Sequence, residues 1–292
     1  MTAPPVSAVV LHWRDEAVTR ECLQSLLAAD YPALTILLVD NGSADGSGER
    51  LHAAFPGVAF LPTGANLGYT GGNNLGIRWA LDRGAEYVLV VNNDTVVESQ
   101  AVSRLVQAAS ATPRVGAVAP KIMYFSAPDR IWFGGGSLSR VRGLGRHHRL
   151  GTRDDARAEE RVKEITFVTG CCCLLSADAL RQVGGFAEDF FAYVEDVELS
   201  LRLSRAGYRL VYQPAANVLH RVPLGAEGAP NPFQIRLRDR NRRRLARRHL
   251  AWQERLLFAG WFYPTRLVHL ARYLAAGDGP RAGAIWHGMT DA

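Results

Sequence analysis

The sequence has little cysteine, and what it has is poorly spaced for cross-linking. Of four cysteines, three are adjacent at Cys171, Cys172 and Cys173. That spacing matches neither a disulfide framework nor a zinc site, and a reduced, cytoplasmic setting is expected. No apolar run approaches the roughly 20 residues that a membrane-spanning helix requires. The opening Met-Thr-Ala-Pro-Pro carries no basic region ahead of its short apolar run, so no signal peptide is expected. Two phosphate-binding patterns are also missing, the Walker loop and the dinucleotide Gly-x-Gly-x-x-Gly. Their absence counts against a P-loop enzyme or a standard dehydrogenase.

What is present is the composition of a globular chain. The 292 residues are 48% hydrophobic and 21% charged, enough for one large α/β domain or one and a half ordinary ones. The net charge of +6 is uneven: the run from 236 to 248, which begins with Arg236 and ends with Arg248, holds eight Arg and one Asp. That is a local +7, which leaves the remainder at −1. With Leu237, Leu245, Trp252, Leu256 and Trp261 nearby, this run reads as an amphipathic surface helix. A solvated or oligomer-forming face (a homodimer, for instance) and a contact with anionic lipid both fit it. Arginine runs alone are weak signals, and no nucleic-acid partner is expected.

Along the first 119 residues, short apolar segments alternate with helical periodicity. Residues 6–11, 34–39, 58–61, 86–91 and 115–119 read as strands. Asp15 caps a helix with a stripe of Val18, Cys22 and Leu26. The short connections imply a parallel, doubly wound sheet. Residues 120–163 break the rhythm and read as a long irregular excursion over the sheet. Order resumes at 165–168, with a helix from Ser176, a charged helix from Glu195, a strand at 208–212 and a short extended piece at 217–220. From Pro232 onward the chain reads as helical.

Three strand ends carry the chemistry. The second strand ends in Asp40-Asn-Gly-Ser-Ala-Asp-Gly-Ser47 and the third runs into Asn66-Leu-Gly-Tyr-Thr-Gly-Gly-Asn-Asn-Leu-Gly76. The fourth stops at Asn92-Asn93-Asp94. In a doubly wound sheet such ends converge on one crevice, where ligands bind. A carboxylate there suits ribose hydroxyls or a base N–H, and Gly64, Gly68, Gly71 and Gly72 would let backbone approach a ligand. Asp94 can set a divalent cation, Mg2+ or Mn2+, against a diphosphate.

These motifs, followed in order by Gly184-Gly-Phe186, Phe190-Phe-Ala-Tyr-Val-Glu-Asp196 and His220, resemble glycosyltransferase family 2 with the GT-A fold. The likeness runs from about residue 6 to 222 and is greatest to the rhamnosyltransferase-like branch that builds bacterial surface polysaccharides. It implies an α/β, Rossmann-like, mostly parallel sheet flanked by helices in a domain of residues 1–222, with a helical, Arg-rich extension of 223–292. It implies an inverting transferase that uses a dTDP- or UDP-linked sugar, with rhamnose one candidate, and a glycan or polyprenyl-linked acceptor. Such an enzyme would work in the cytoplasm at the inner membrane face. By the same resemblance Asp196 is the catalytic base, and Asp94 and His220 hold the metal. Asp40, Asn41, Gly42, Asn66, Gly71, Asn73, Asn93 and Asp94 contact the nucleotide-sugar, with Glu195, Tyr193 and Trp132 on the acceptor side.

The residues depart from the family pattern in places. The D-x-D motif is reduced to Asn92-Asn93-Asp94, Leu11-His12-Trp13-Arg14 stands where relatives show Tyr-Asn, and Ala187 replaces a common Asp. Glu198 is the poorer base because it pairs naturally with Arg202 at i,i+4, and the cysteines read as packing. A nucleotidyltransferase would need a basic, Gly-rich loop after the first strand, which is missing. A non-catalytic nucleotide-sugar-binding or polysaccharide scaffold is the remaining alternative.

Overall fold

The computed structural model describes residues 2–155, 161–222 and 230–291. The first half alternates strand and helix: β1 (Val6–His12), α1 (Glu16–Leu27), β2 (Leu34–Asp40), α2 (Ser47–Ala54), β3 (Ala59–Pro62), α3 (Gly68–Asp82) and β4 (Tyr87–Asn92). The four strands are parallel in the order β4-β1-β2-β3. The runs of Val, Leu and Ile in β1, β2 and β4 are buried on both faces, which is why they read as nearly unbroken apolar segments, while edge strand β3 is half-buried. Registers pairing His12 with Asp40 and Leu11 with Asn92 bring the carboxyl ends level. That alignment makes the crevice edge.

Beyond β4 the sheet is mixed. After β5 (Thr95–Val97), α4 (Ala101–Ser110) leads into β6 (Val115–Tyr124), then β7 (Ala127–Phe133), β8 (Gly136–Ser139), β9 (Leu144–His147) and β10 (Lys163–Ile165). Next come β11 (Cys172–Ser176), α5 (Ala177–Val183), α6 (Glu195–Arg205) and β12 (Arg209–His220). Strand β11 enters antiparallel between β4 and β6, β12 runs parallel to β6, and β10 closes that edge. The strand expected at 165–168 ends at Ile165, and the expected pieces at 208–212 and 217–220 are one strand with a bulge between Gln213 and Asn217. Strand β5 pairs with the far end of β12, opposing His220 to Thr95.

A further expectation is corrected. The segment 120–163, read as irregular, is largely strand, because Ile122, Ile131 and Phe133 turn into the core and pin β6 and β7 together. Residues 156–160 of that segment lie outside the described residues. The glycine-rich motif leads into α3, which holds Gly68, Gly71, Gly72 and Gly76. A Cβ at Gly72 would stand 2.4 Å from Leu11 and one at Gly76 would stand 2.3 Å from Val9. Those glycines let α3 lie close on β1.

The extension is α7 (Pro232–His249), α8 (Trp252–Ala275) and α9 (Gly279–Thr290); residues 223–229 lie outside the described residues. Leu245 of α7 joins the main core, while Ile235, Ala246 and Leu250 join Phe258, Phe262, Ile285 and Met289 in a second one. The arginine run does not form the outward basic face expected for it. Arg240, Arg244 and Arg248 reach Asp189 and its neighbours, Arg236 pairs with Asp291 at 2.6 Å, and Arg243 donates to Asp291 O. Asp239 is wholly buried between Arg242 (3.1 Å) and Arg266 of α8 (3.4 Å). Burial lowers the Arg242 pKa to about 10, and Asp239 is the counter-charge that keeps it ionised. Removing one partner from a buried ion pair strands the other charges. Asp239→Ala is therefore expected to cost about 3–5 kcal/mol, read as a lower urea midpoint.

Candidate active site

Asp94 follows β4 in a two-residue turn, and its Oδ2 lies 3.2 Å from Nε2 of His220, the last residue of β12. Two residues 126 apart in sequence meet because β5 and β12 pair. The main chain closes the same corner, Arg221 N donating to Asp94 O at 2.9 Å. His220 is buried and packs edge-on against Trp132, which also meets His147 edge-on. Burial lowers the His147 pKa to about 4, so that ring is neutral near pH 7. Trp132, expected on the acceptor side, stands beside the Asp94–His220 pair.

Among the described residues no three His, Cys, Asp or Glu side chains form a metal cage. Asp94 and His220 offer one carboxylate and one imidazole, and their buried Oδ1 and Nδ1 atoms have no partner among the described residues. This donor set fits a divalent cation that completes its shell with diphosphate oxygens and water. It does not fit one held by protein alone.

Asp196 starts α6. Its Oδ2 accepts from Gly170 N at 3.1 Å and its Oδ1 from Val197 N at 2.8 Å. The next residue, Cys171, accepts from Asn92 N at 2.8 Å. Asp196 is thus tied through two residues to the strand that carries Asp94. It is half-buried, and desolvation raises its pKa to about 6 against the pull of those two hydrogen bonds. Glu195, almost wholly buried with Oε2 unpartnered, is pushed well up by burial and then by the charge of Asp196. Two adjacent carboxyls are thus driven apart in acidity, with Asp196 the one brought near neutrality and Glu195 the one pushed further toward its neutral form. Glu198 is occupied by Arg202 at 2.8 Å and His249 at 2.9 Å.

The turn before α6 has an unusual backbone. Phe191, Tyr193 and Val194 take φ of 64°, 69° and 73°, a region that costs a non-glycine residue about 1–3 kcal/mol. Asn241 holds the turn: its side-chain amide fans across the carbonyls of Phe190, Ala192 and Tyr193 at 2.8, 2.9 and 2.8 Å. Thr70 N donates to Phe191 O at 3.1 Å. Gly68 is required there, because a Cβ would stand 2.5 Å from that oxygen. Sequence reasoning missed Asn241. One signal marks it: Leu237, Asn241 and Leu245 form a buried i,i+4,i+8 stripe with an amide in its middle.

Several residues expected to touch the nucleotide-sugar serve the frame. Both amide hydrogens of Asn41 are taken, by Asn66 Oδ1 and Gly68 O, and its own oxygen accepts from Leu67 N. A Cβ at Gly42 would meet the Ala65 backbone at 2.5 Å. Gly71 and Asn73 are buried within α3, Asn73 donating to Tyr69 O. Asp40 is buried, accepts from Ser43 N at 3.2 Å, and lies so near α2 that only glycine fits at position 48. Asn66 is exposed, and Asn93 is half-buried with its amide on Thr19. Tyr193 is exposed on the strained turn. His12 is wholly buried between Thr19 and Ser47.

The sequence profile described as glycosyl transferase family 2 matches residues 7–184. The N-acetylglucosaminyl-diphospho-decaprenol L-rhamnosyltransferase of Mycobacterium tuberculosis is 36% identical over 214 residues, 68% of this chain and 70% of that one. A low-salt glycan biosynthesis hexosyltransferase of Haloferax volcanii is 26% identical over 81% of this chain and 74% of its own. Among solved structures, GalNAc-T7 with UDP, GalNAc and Mn2+ superposes with a TM-score of 0.69 at 15% identity. That match covers 97% of this chain, which spans 55% of that one. A Pyrobaculum calidifontis mannosyltransferase with GDP-Man and Mn2+ gives 0.59 at 19% identity, covering 98% of this chain and 80% of that one. These likenesses show the GT-A fold.

A carboxyl whose pKa rises on folding stabilises the folded state most when protonated. The Asp196 contribution is full below the ordinary aspartate range and is lost as pH rises through about 6. Unfolding free energy is expected to fall by on the order of 2 kcal/mol between pH 4 and pH 8 through this group. Asp196→Asn should flatten that slope in denaturant titrations. Separately, Asn241→Leu leaves buried carbonyls unpaired and is expected to lower stability by about 2–4 kcal/mol, measured the same way.

Proposed function

The chain belongs to glycosyltransferase family 2, and from that premise we propose that it transfers a sugar with inversion from a nucleoside diphosphate to an acceptor hydroxyl. The donor proposed is dTDP- or UDP-linked, with rhamnose as the sugar. The acceptor is a glycan or polyprenyl-linked intermediate of cell-surface polysaccharide synthesis. The observation that carries the reading is the convergence of the Asp94–His220 pair and the half-buried Asp196 on one edge of the sheet. The mycobacterial relative, named as acting on a decaprenol-linked acceptor, supports the choice of sugar and acceptor.

In this mechanism Asp196 takes the proton from the acceptor hydroxyl as that oxygen attacks the anomeric carbon, and the diphosphate leaves from the opposite face. Its raised pKa makes it a stronger base than a free aspartate, while it stays mostly ionised at pH 7. Burial pushes Glu195 beside it toward the neutral form, which avoids a second buried negative charge. Asp94 and His220 would hold the divalent cation, which when bound offsets charge on the departing diphosphate. One base suffices for a single displacement, in contrast to the carboxylate pair of a hydrolase. Asn66 and Asn93, at the ends of β3 and β4, are the polar groups proposed to meet the nucleotide-sugar.

Asp196→Asn is expected to lower kcat by about 10²–10⁴-fold while leaving donor affinity nearly unchanged. In the wild type kcat should rise with pH through about 6. A parallel loss of donor binding in Asp196→Asn would assign the residue to the frame and remove it from the chemistry.

A further inference from the structure

Helix α8 presents an apolar face that no described part of the chain covers. Its inner side, with Phe258, Phe262 and Arg266, is buried. On the other side Trp252, Leu256, Leu257, Leu267, Val268 and Leu274 are each half to two-thirds exposed. At roughly 100° per residue these positions span an arc of about 160° along a helix of roughly 36 Å. No charged residue stands within that arc. An apolar surface this long is unusual on a chain that works alone in water.

Charge identifies the occupant. Residues 230–291 hold twelve arginines and four acidic residues, a net of +8. Several arginines of α7 are satisfied by backbone carbonyls, which accept hydrogen bonds and neutralise no charge. The one acid on α8, Glu254, is paired with Arg140. Arg272 is exposed on the same helix, outside the apolar arc. A second copy meeting this face would bring two strongly cationic extensions together, whereas an anionic lipid surface complements both the charge and the apolar arc. Among the described residues no helix is long and apolar enough to cross a membrane, and Arg266 is bound inward to Asp239. The helix therefore lies along a surface.

We propose that the exposed face of α8 docks in the plane of an anionic phospholipid surface. The membrane contact expected of the arginine run thus moves to the next helix, with the arginines supplying the field. This inference rests on the exposed face of α8 and the charge of residues 230–291 and holds whatever sugar or acceptor the enzyme uses.

The test is co-sedimentation of the full chain with phosphatidylglycerol-rich vesicles and with pure phosphatidylcholine vesicles. The wild type should pellet with the former, less so as salt rises, and far less with the latter. Leu256→Glu combined with Leu267→Glu changes only exposed positions, so its urea midpoint should match the wild type. Its binding to the anionic vesicles should fall about tenfold or more. The proposal is overturned if the double variant binds as the wild type does, if the wild type binds neither vesicle, or if it prefers neither lipid. It is equally overturned if the wild type is a dimer in analytical ultracentrifugation that the double variant converts to monomer.

Discussion

The amide of Asn241 reaches three carbonyls of the turn at 190–193, and the site depends on that contact. The turn holds three non-glycine residues at positive φ immediately before Glu195 and Asp196. Such a backbone persists only where its surroundings over-determine it. Here α7 supplies the restraint from one side, and α3 supplies it from the other through Thr70 and the bare Cα of Gly68. Arg244 and Arg248 fasten Asp189 a few residues upstream. The extension is therefore part of what aims the carboxylate, and the boundary drawn near residue 222 separates sequence patterns more than working units.

The same geometry governs the electrostatics. An acid at the start of a helix would ordinarily be held ionised by the helix dipole. Asp196 receives two backbone N–H groups, yet desolvation outweighs them and carries its pKa to about 6. Glu195 goes further up because it is almost fully enclosed and finds no donor for Oε2. Elsewhere in the site, Asp94 Oδ1 and His220 Nδ1 find no partner among the described residues. Trp132 packs edge-on against both His220 and a neutral His147.

Much of this was legible in the sequence. The parallel half of the sheet announces itself through apolar runs of four to seven residues, and Asp15, Ser176 and Asp94 mark element ends where the structure has them. The rest was hidden for identifiable reasons. Strand β11 opens with cysteine, which lacks the β-branched signature of a strand, and its antiparallel entry depends on two partners distant in sequence. The glycines of α3 resemble a loop because their purpose, close packing on β1, involves residues some 60 positions earlier. Periodicity identified α7 as a helix but not the destinations of its arginines, whose acceptors lie about 50 residues away in either direction. Asn41, Gly42 and Asn73 carry frame contacts that the motif alone does not show: Asn41 binds Asn66 and Gly68, Gly42 lies against Ala65, and Asn73 donates to Tyr69 O.

The proposed function has the Asp94–His220 corner receive the diphosphate of a nucleotide-sugar. Isothermal titration of the full chain with dTDP, UDP and GDP, each with and without Mn2+, tests it most directly. One of the three is expected to bind in the presence of Mn2+, its affinity to fall when the ion is withheld, and Asp94→Ala to reproduce that fall. Failure of all three nucleotides to bind with Mn2+ present would contradict it and return the chain to a scaffold.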